Sequence, residues 1–407
     1  MSTGEFEQFA AAMSHSRNDR PLSEPPKYQK IAILGGDAEA RMLAAASLAA
    51  GLEVSLFSAY GQELTAMRNR GSVTLRGEGP IGSFHVDQSN GPSIQTTAEL
   101  DTAIADAEVI ILTGPVHKQR TYAMVLAEHL HDGQVVVLPN ARTFGCVEVA
   151  WLLRVGGCQA AVTLVDIPGL PFWVNEQNGG LHLSRRSNVA AACLPAKNKN
   201  VLIGLATIFP NLTPQHSCLH TGFHDGSSVV DAPALLLGGC ALPAGGPEVP
   251  YGGVPLAENH NFRNLLGDGH ISMIAGLWQE RCRTAQAYGV RDLPDVDTLL
   301  DQYAGTAQGE GMRAVPDTAQ SHVMLRSAII GSLSPLVSAA ELAGVATPLT
   351  QSMIQLGSTL LDGDLQSAGR RLDTMGVRAD NIDDARRVID RIVSGQSSGN
   401  TSGGPHG

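Results

Sequence analysis

Residues 31–51, IAILGGDAEARMLAAASLAAG, constrain the fold of this chain more than any other segment. A short apolar run, a glycine pair and an Ala-rich helical stretch follow one another without a spacer. A buried strand must therefore turn sharply into a helix that packs back on it. The pattern predicts a strand over Lys30–Leu34, a helix over 40–50 stopped by Gly51, and a second strand over Glu53–Phe57. Apolar runs at 108–112 and 134–138 end at turn signals, Thr113-Gly114-Pro115 and Pro139-Asn140, and 161–165 is a further candidate strand. Strands alternating with helices predict βαβ units and a parallel sheet covered on both faces.

After about Pro210 the pattern changes to long helical periods, at 271–288, 295–303, 321–342, 348–361 and 383–393. Thr347-Pro348 reads as an N-cap followed by Pro at the first helical position, and Asn381 or Asp380 as the cap of the last helix. With 407 residues the chain has length for two cores. The expected architecture is an α/β chain. A Rossmann-like, doubly wound dinucleotide-binding domain spans 27–205, an all-helical domain spans 206–392, and a cleft lies between them. A polar leader, 1–26, and a Gly/Ser-rich tail, 393–407, flank the two.

Charge excludes several partner classes. There are 28 basic and 39 acidic residues, a net of −11, and no Lys/Arg run is longer than Arg185-Arg186 or Arg370-Arg371. Neither a nucleic acid nor an anionic membrane is an expected partner. The six cysteines show no C-x-x-C pair and no metal-ligand spacing, so they read as reduced thiols of a cytoplasmic protein without a metal. The N-terminus lacks the basic and apolar regions of a secretory signal, and the apolar stretches read as too interrupted to span a bilayer. Oligomeric state stays open between monomer and homodimer.

The glycine loop sits where a G-x-G-x-x-G/A fingerprint would bind a pyrophosphate. Gly35 fits the tight turn and Ala40 the close helix–strand contact, while the position that lets backbone approach the phosphates holds Asp37. That carboxylate either opposes the ligand or caps the helix, and Gly36 offers room for the loop to shift. An acid about 20 residues on, which would bind ribose hydroxyls, is missing. The second strand instead ends Phe57-Ser58-Ala59-Tyr60, with Arg68 and Arg70 following. Ser58 with a nearby Arg suits a 2′-phosphate, so NADP is slightly favoured over NAD. Gly114, Pro115 and Asn140, at the ends of later strands, complete the expected cofactor-binding set.

Several segments in order resemble the opine dehydrogenases of the octopine and nopaline type. They are DGQVVVLPNARTFGCVEVAWLL, LHTGFHDGSSVVDAPALLLGG, GLWQERCRTAQAYGV, which keeps Glu280 and Arg281, and AGVATPL. The resemblance implies an NAD(P)-dependent oxidoreductase that reduces an imine formed from an amine and a 2-oxo acid. It also implies a site: Asp231 stands where the family has its proton-transferring His, Gly331 where it has the Asp that orients that His, and Arg326 where it has the Arg that grips a substrate carboxylate.

His suits proton transfer without adjustment, whereas an Asp is anionic near neutral pH unless burial raises it. Asp231 is therefore expected to stabilise a cationic iminium or ammonium. His224 is a candidate partner for it if the preceding loop folds back, and a surface residue otherwise. His220, His224 and Asp225 make a poor metal set, because Gly222 and Gly226 oppose the helix that their spacing needs. Two readings follow: an oxidoreductase acting on the C–N or C–O bond of a small carboxylated substrate, or a homologue without hydride transfer that performs acid/base chemistry or binds a ligand in the cleft.

Overall fold

The computed structural model describes residues 25–238, 261–306 and 311–394. The expected leader and tail lie almost wholly outside them. The strands are β1 (Lys30–Leu34), β2 (Glu53–Phe57), β3 (Ser72–Gly77), β4 (Gly82–His85), β5 (Ile94–Thr97), β6 (Val109–Leu112), β7 (Val135–Pro139), β8 (Thr163–Ile167), β9 (Phe172–Gln177), β10 (Gly180–Arg185), β11 (Val189–Leu194) and β12 (Leu212–Pro214). The larger sheet has the order β12-β11-β8-β7-β6-β1-β2-β5. It is parallel from β5 to β8, and β11 joins antiparallel. Its last strand, β12, runs past the boundary expected at residue 205.

Strand β1 shows why this sheet needs cover on both sides. Ile31 and Ile33 point into one core with α1 (Ala38–Ala49), whereas Ala32 and Leu34 point into a second with α3 (Leu100–Ile104), α4 (Val116–Leu126) and α5 (Gly145–Val155). All four side chains are fully buried, so alternation sends apolar groups to two faces and none to water. Helix α2 (Gly61–Arg70) follows β2. The chain leaves β1 on one side for β2 and returns on the other for β6. Strand order therefore reverses between β1 and β6, which opens a crevice at their C-terminal ends.

A second sheet, of order β4-β3-β10-β9, was not expected from the sequence. Strands β9 and β10 form a hairpin whose turn residues, Asn178 and Gly179, take φ of 48° and 74°. That is the left-handed pair that Asn-Gly supplies at low cost.

Beyond the sheets come α6 (Asn200–Gly204), α7 (Cys218–His224), α8 (Ser227–Leu237), α9 (Asp268–Ala287), α10 (Val296–Tyr303), α11 (Thr318–Ala328), α12 (Ser334–Leu342), α13 (Pro348–Leu360) and α14 (Ile382–Ser394). Among the described residues after 260, extended pairing is limited to an isolated bridge, Asn261 to Ala314. The helix expected over 321–342 is interrupted by a π-helical turn, Ile329–Leu333. By length and composition the whole run Thr318–Leu342 could cross a membrane. It is mostly buried in the protein, as the central helix of a core is.

Caps explain several helix starts. Asp295 accepts from the Thr298 amide at 2.8 Å and Asn381 from the Asp384 amide at 3.0 Å. Thr347 makes no such bond. Glu280 of α9 instead reaches across to cap α13, accepting from the Leu349 and Thr350 amides at 2.9 Å each and from the Thr350 hydroxyl at 2.7 Å. A carboxylate at a helix N-terminus also meets the positive end of the helix dipole.

Candidate active site

A cleft of about 880 Å³ opens at the reversal point of the large sheet. Its walls come from the ends of β1, β6 and β7, from the small sheet through Trp173 and Glu176, and from the helical half through Asp231, Tyr303 and Arg313. Gly35 makes the tight turn with φ of 140°, and a Cβ there would lie 2.0 Å from Thr113 Oγ1. Gly114, Pro115 and Asn140 line the cleft as well.

Asp37 caps its helix and also faces the cleft. Its Oδ1 accepts from the Ala40 amide at 2.9 Å as the N-cap of α1, and it lines the cleft. Burial raises its pKa. Glu39, two residues on, accepts from Asn140 Nδ2 at 2.9 Å. Burial, followed by the charge of Asp37, pushes Glu39 up to about 7. The phosphate-binding position is thus faced by carboxyl groups that hold protons more readily than usual, which lowers their opposition to an anion.

The ribose position differs from expectation. Arg68 pairs with Asp87 at 3.0 Å and Arg70 with Glu176 at 3.0 Å, so neither serves Ser58. The Ser58 hydroxyl instead donates to Glu63 at 2.5 Å, and Lys118 stands 3.9 Å from the same carboxylate. Glu63 also fills the space over Gly36, where a Cβ would meet its Oε2 at 2.2 Å. Glu63, in the first turn of α2, thus places a carboxylate beside Ser58 at the end of β2.

Asp231 lies on α8 inside the cleft and is buried. Its Oδ1 is 2.7 Å from Arg313 Nη1, an ion pair whose angles fall outside those of a hydrogen bond, and its Oδ2 is 3.9 Å from Arg142 Nη1. Arg142 is itself held: it donates to the Ser227 hydroxyl, which donates to Asp225. Asp225 also accepts from Ser332 and, at 3.1 Å, from Thr143. Burial alone would raise the Asp225 pKa. The charges of Arg281 and Arg142, with the hydroxyl bonds, bring it below the ordinary range. A fixed carboxylate thus orients a serine, the serine an arginine, and the arginine flanks Asp231.

Two candidate residues are not where the resemblance placed them. Arg326 is exposed and, with His117 and His322, lines a pocket of about 420 Å³ that adjoins the cleft of Asp231 through Pro115, Val323 and Ser327; Arg326 itself is not among the residues lining that cleft. Its position on the outer side of α11 follows from the helical period, which turns Ser327 toward the cleft and Arg326 away. His224 does not pair with Asp231 either. Its Nδ1 lies 2.8 Å from the His220 carbonyl one turn back, because α7 continues through it instead of folding over. Gly331 sits in the π-helical turn against Val116 and Arg142. A side chain at this position would meet both of them.

Sequence reasoning missed Glu39, Glu63, Arg142, Trp173, Arg186 and Arg313. For the hairpin that carries Trp173 the signal was present in Asn178-Gly179 between two strand-like runs. Arg142 comes from a loop in which Asn140, Arg142 and Phe144 take φ of 57°, 61° and 61°. Such non-glycine residues cost roughly 1–3 kcal/mol each and gather at functional sites. No sequence motif marks that conformation.

No family model matches the chain. An opine dehydrogenase of Arthrobacter sp. (strain 1C) is 24% identical over 359 residues, 85% of this chain and 94% of that protein. A solved octopine dehydrogenase with NADH and L-arginine covers 91% of this chain and 99% of its own, at 18% identity and a TM-score of 0.64. A yersinopine dehydrogenase with NADP+ bound covers the same shares at 15% identity and a TM-score of 0.60. The structures share the fold, and the comparisons together support an opine dehydrogenase-type family.

Proposed function

We propose that this chain, of the opine dehydrogenase type, is an NAD(P)-dependent oxidoreductase acting on the C–N or C–O bond of a small carboxylated substrate. The observation that carries the reading is the placement of Asp231, ion-paired and buried, in a cleft at the reversal point of a parallel sheet. The residues present fit a dinucleotide: Gly35 makes the tight turn at the C-terminal end of β1, Gly114 lines the cleft beyond β6, and Ser58 with Glu63 offers a ribose-binding pair. When bound, the nicotinamide supplies or accepts the hydride.

The chain's own residues do the rest. Glu63 and Ser58 accept from and donate to ribose hydroxyls, which suits NADH better than a 2′-phosphorylated cofactor. Asp231 supplies negative charge beside a developing iminium or ammonium, and Arg313 and Arg142 fix its position. The walls contributed by both sheets and the helices exclude water from that carboxylate. Residues 27–205, extended by β12, serve as the nucleotide-binding part, and the helices to 392 complete the cleft. Five described cysteines carry no disulfide, which fits a cytoplasmic protein.

Titration with NADH and NADPH tests the cofactor, and Asp231→Asn tests the carboxylate. The variant is expected to keep cofactor affinity and to lose about tenfold or more in turnover. Failure of the wild-type protein to bind either nucleotide would defeat the reading.

A further inference from the structure

Three guanidinium groups, of Arg142, Arg186 and Arg313, converge on one wall of the cleft. Arg313 is neutralised by Asp231 at 2.7 Å, and Arg142 is shared between Ser227 and the same carboxylate. Arg186 is different. It is buried, and its guanidinium carbon stacks 4.0 Å from the ring centroid of Trp173, with Tyr303 at 5.3 Å on another side.

Arg186 Nη2 donates to the Gln302 carbonyl at 3.0 Å, while its buried Nε has no hydrogen-bond partner. Among the described residues no carboxylate lies within ion-pair distance of it. Burial, with repulsion from Arg313 and Arg142 and against the attraction of Tyr303 and Asp231, lowers its pKa to about 10. Arg313 presses on the same indole from 4.8 Å. Two like charges on one aromatic ring, with one counter-ion between them, leave a buried cation in need of an anion. A buried charge without its own counter-ion is costly, so a site of this kind stores affinity for a partner.

The other ionisable groups in the cleft do not supply that partner. Arg41 and Glu176 pair with each other at 2.7 Å. Asp37 caps its helix. Glu39 bonds Asn140 and is pushed up to about 7, so near neutral pH it is only partly charged.

We propose that Arg186, stacked on Trp173, is the residue that anchors the substrate's carboxylate, the role that family position gave to Arg326. The planar fork of a guanidinium matches a carboxylate edge-on, and its stacking on indole fixes the plane. Asp231 lines the same cleft and is ion-paired with the Arg313 that contacts the same indole. A substrate whose carboxylate meets Arg186 is thereby directed with its cationic or electrophilic centre toward Asp231. The proposal deepens the oxidoreductase reading by naming the anchor, but anion binding is measurable without turnover, so the two fail separately. A phosphate of the cofactor is the other source of an anion for this platform.

The test measures binding of pyruvate, of its uncharged amide pyruvamide and of NADH to the full chain. Tryptophan fluorescence and calorimetry are read for wild type, Arg186→Gln, Arg186→Lys and Arg326→Gln. Pyruvate is expected to bind in preference to pyruvamide and to change the emission of Trp173, a change absent in Trp173→Phe. Arg186→Gln should weaken pyruvate about tenfold or more, Arg186→Lys should recover part of that loss, and NADH affinity and Arg326→Gln should stay near wild type. Pyruvate affinity unchanged in a folded Arg186→Gln protein, or a loss confined to NADH, would overturn the assignment. So would a loss in Arg326→Gln equal to that in Arg186→Gln.

Discussion

Replacing Gly331 by alanine separates two opposed effects. Gly331 lies in a helical run with no left-handed backbone, so propensity alone favours alanine by about 0.5–1 kcal/mol. A Cβ at this site, however, would lie 2.7 Å from Val116 Cγ2 and 3.2 Å from both Cβ and Cγ of Arg142. Val116 is buried at the start of α4 and, being β-branched, has one accessible rotamer in a helix, so it cannot swing aside. Overpacking of this kind costs about 1–3 kcal/mol. The net expectation is a destabilisation of roughly 1–2 kcal/mol in urea unfolding, relieved when Val116→Ala is added, with a coupling energy of similar size. Gly331→Asp adds a carboxylate to the same crowded space, so combining it with Asp231→His is expected to damage the fold and not to restore the family's His–Asp pair. A Gly331→Ala protein more stable than wild type, or two substitutions that simply add, would refute the packing argument.

Asp166, buried near Cys146 and Cys218, is pushed up by burial to about 8 from an ordinary 3.8. The folded chain therefore keeps a proton that the unfolded chain has lost. The associated stability is fully present below about pH 4 and is lost progressively as pH rises through about 8. Asp166→Asn should remove that decline, a difference on the order of 5 kcal/mol between acid and alkaline urea titrations; parallel curves for the two proteins would contradict it. Glu63→Gln should improve NADPH binding relative to NADH by about tenfold, as one charge beside a 2′-phosphate requires, and an unchanged ratio would place the ribose elsewhere. Asp37→Ser keeps a helix cap while removing the charge, so NADH affinity should rise by about 1 kcal/mol in a titration with little change in melting.

The larger sheet was legible because β1, β6 and β7 are apolar runs closed by glycine or proline signals and β2 and β8 are mostly apolar, as burial on both faces favours. The long helices were legible from period and caps. The small sheet was not, since β3, β4 and β10 mix polar residues at exposed positions and resemble loops. Asp231 could be reached because a resemblance aligned it. Arg186 could not: its value as a site comes from Trp173 and Tyr303, which lie 13 residues before it and 117 after it in the chain. In the sequence Arg185-Arg186 and Arg370-Arg371 stand out only as the longest basic runs. In each dipeptide one arginine is buried, Arg370 being enclosed by Glu148 at 2.6 Å and the Ala141 carbonyl at 2.7 Å.

Transfer of deuterium tests the central claim most directly. NADH labelled at the transferring position is mixed with the full chain, pyruvate and a panel of amino acids, and products are weighed by mass spectrometry. The account predicts a product that carries one deuterium on the former carbonyl carbon, formed by the wild-type protein and lost in Asp231→Asn. Tight NADH binding with no deuterium in any product would contradict it, and would leave the cleft as a nucleotide site without hydride transfer.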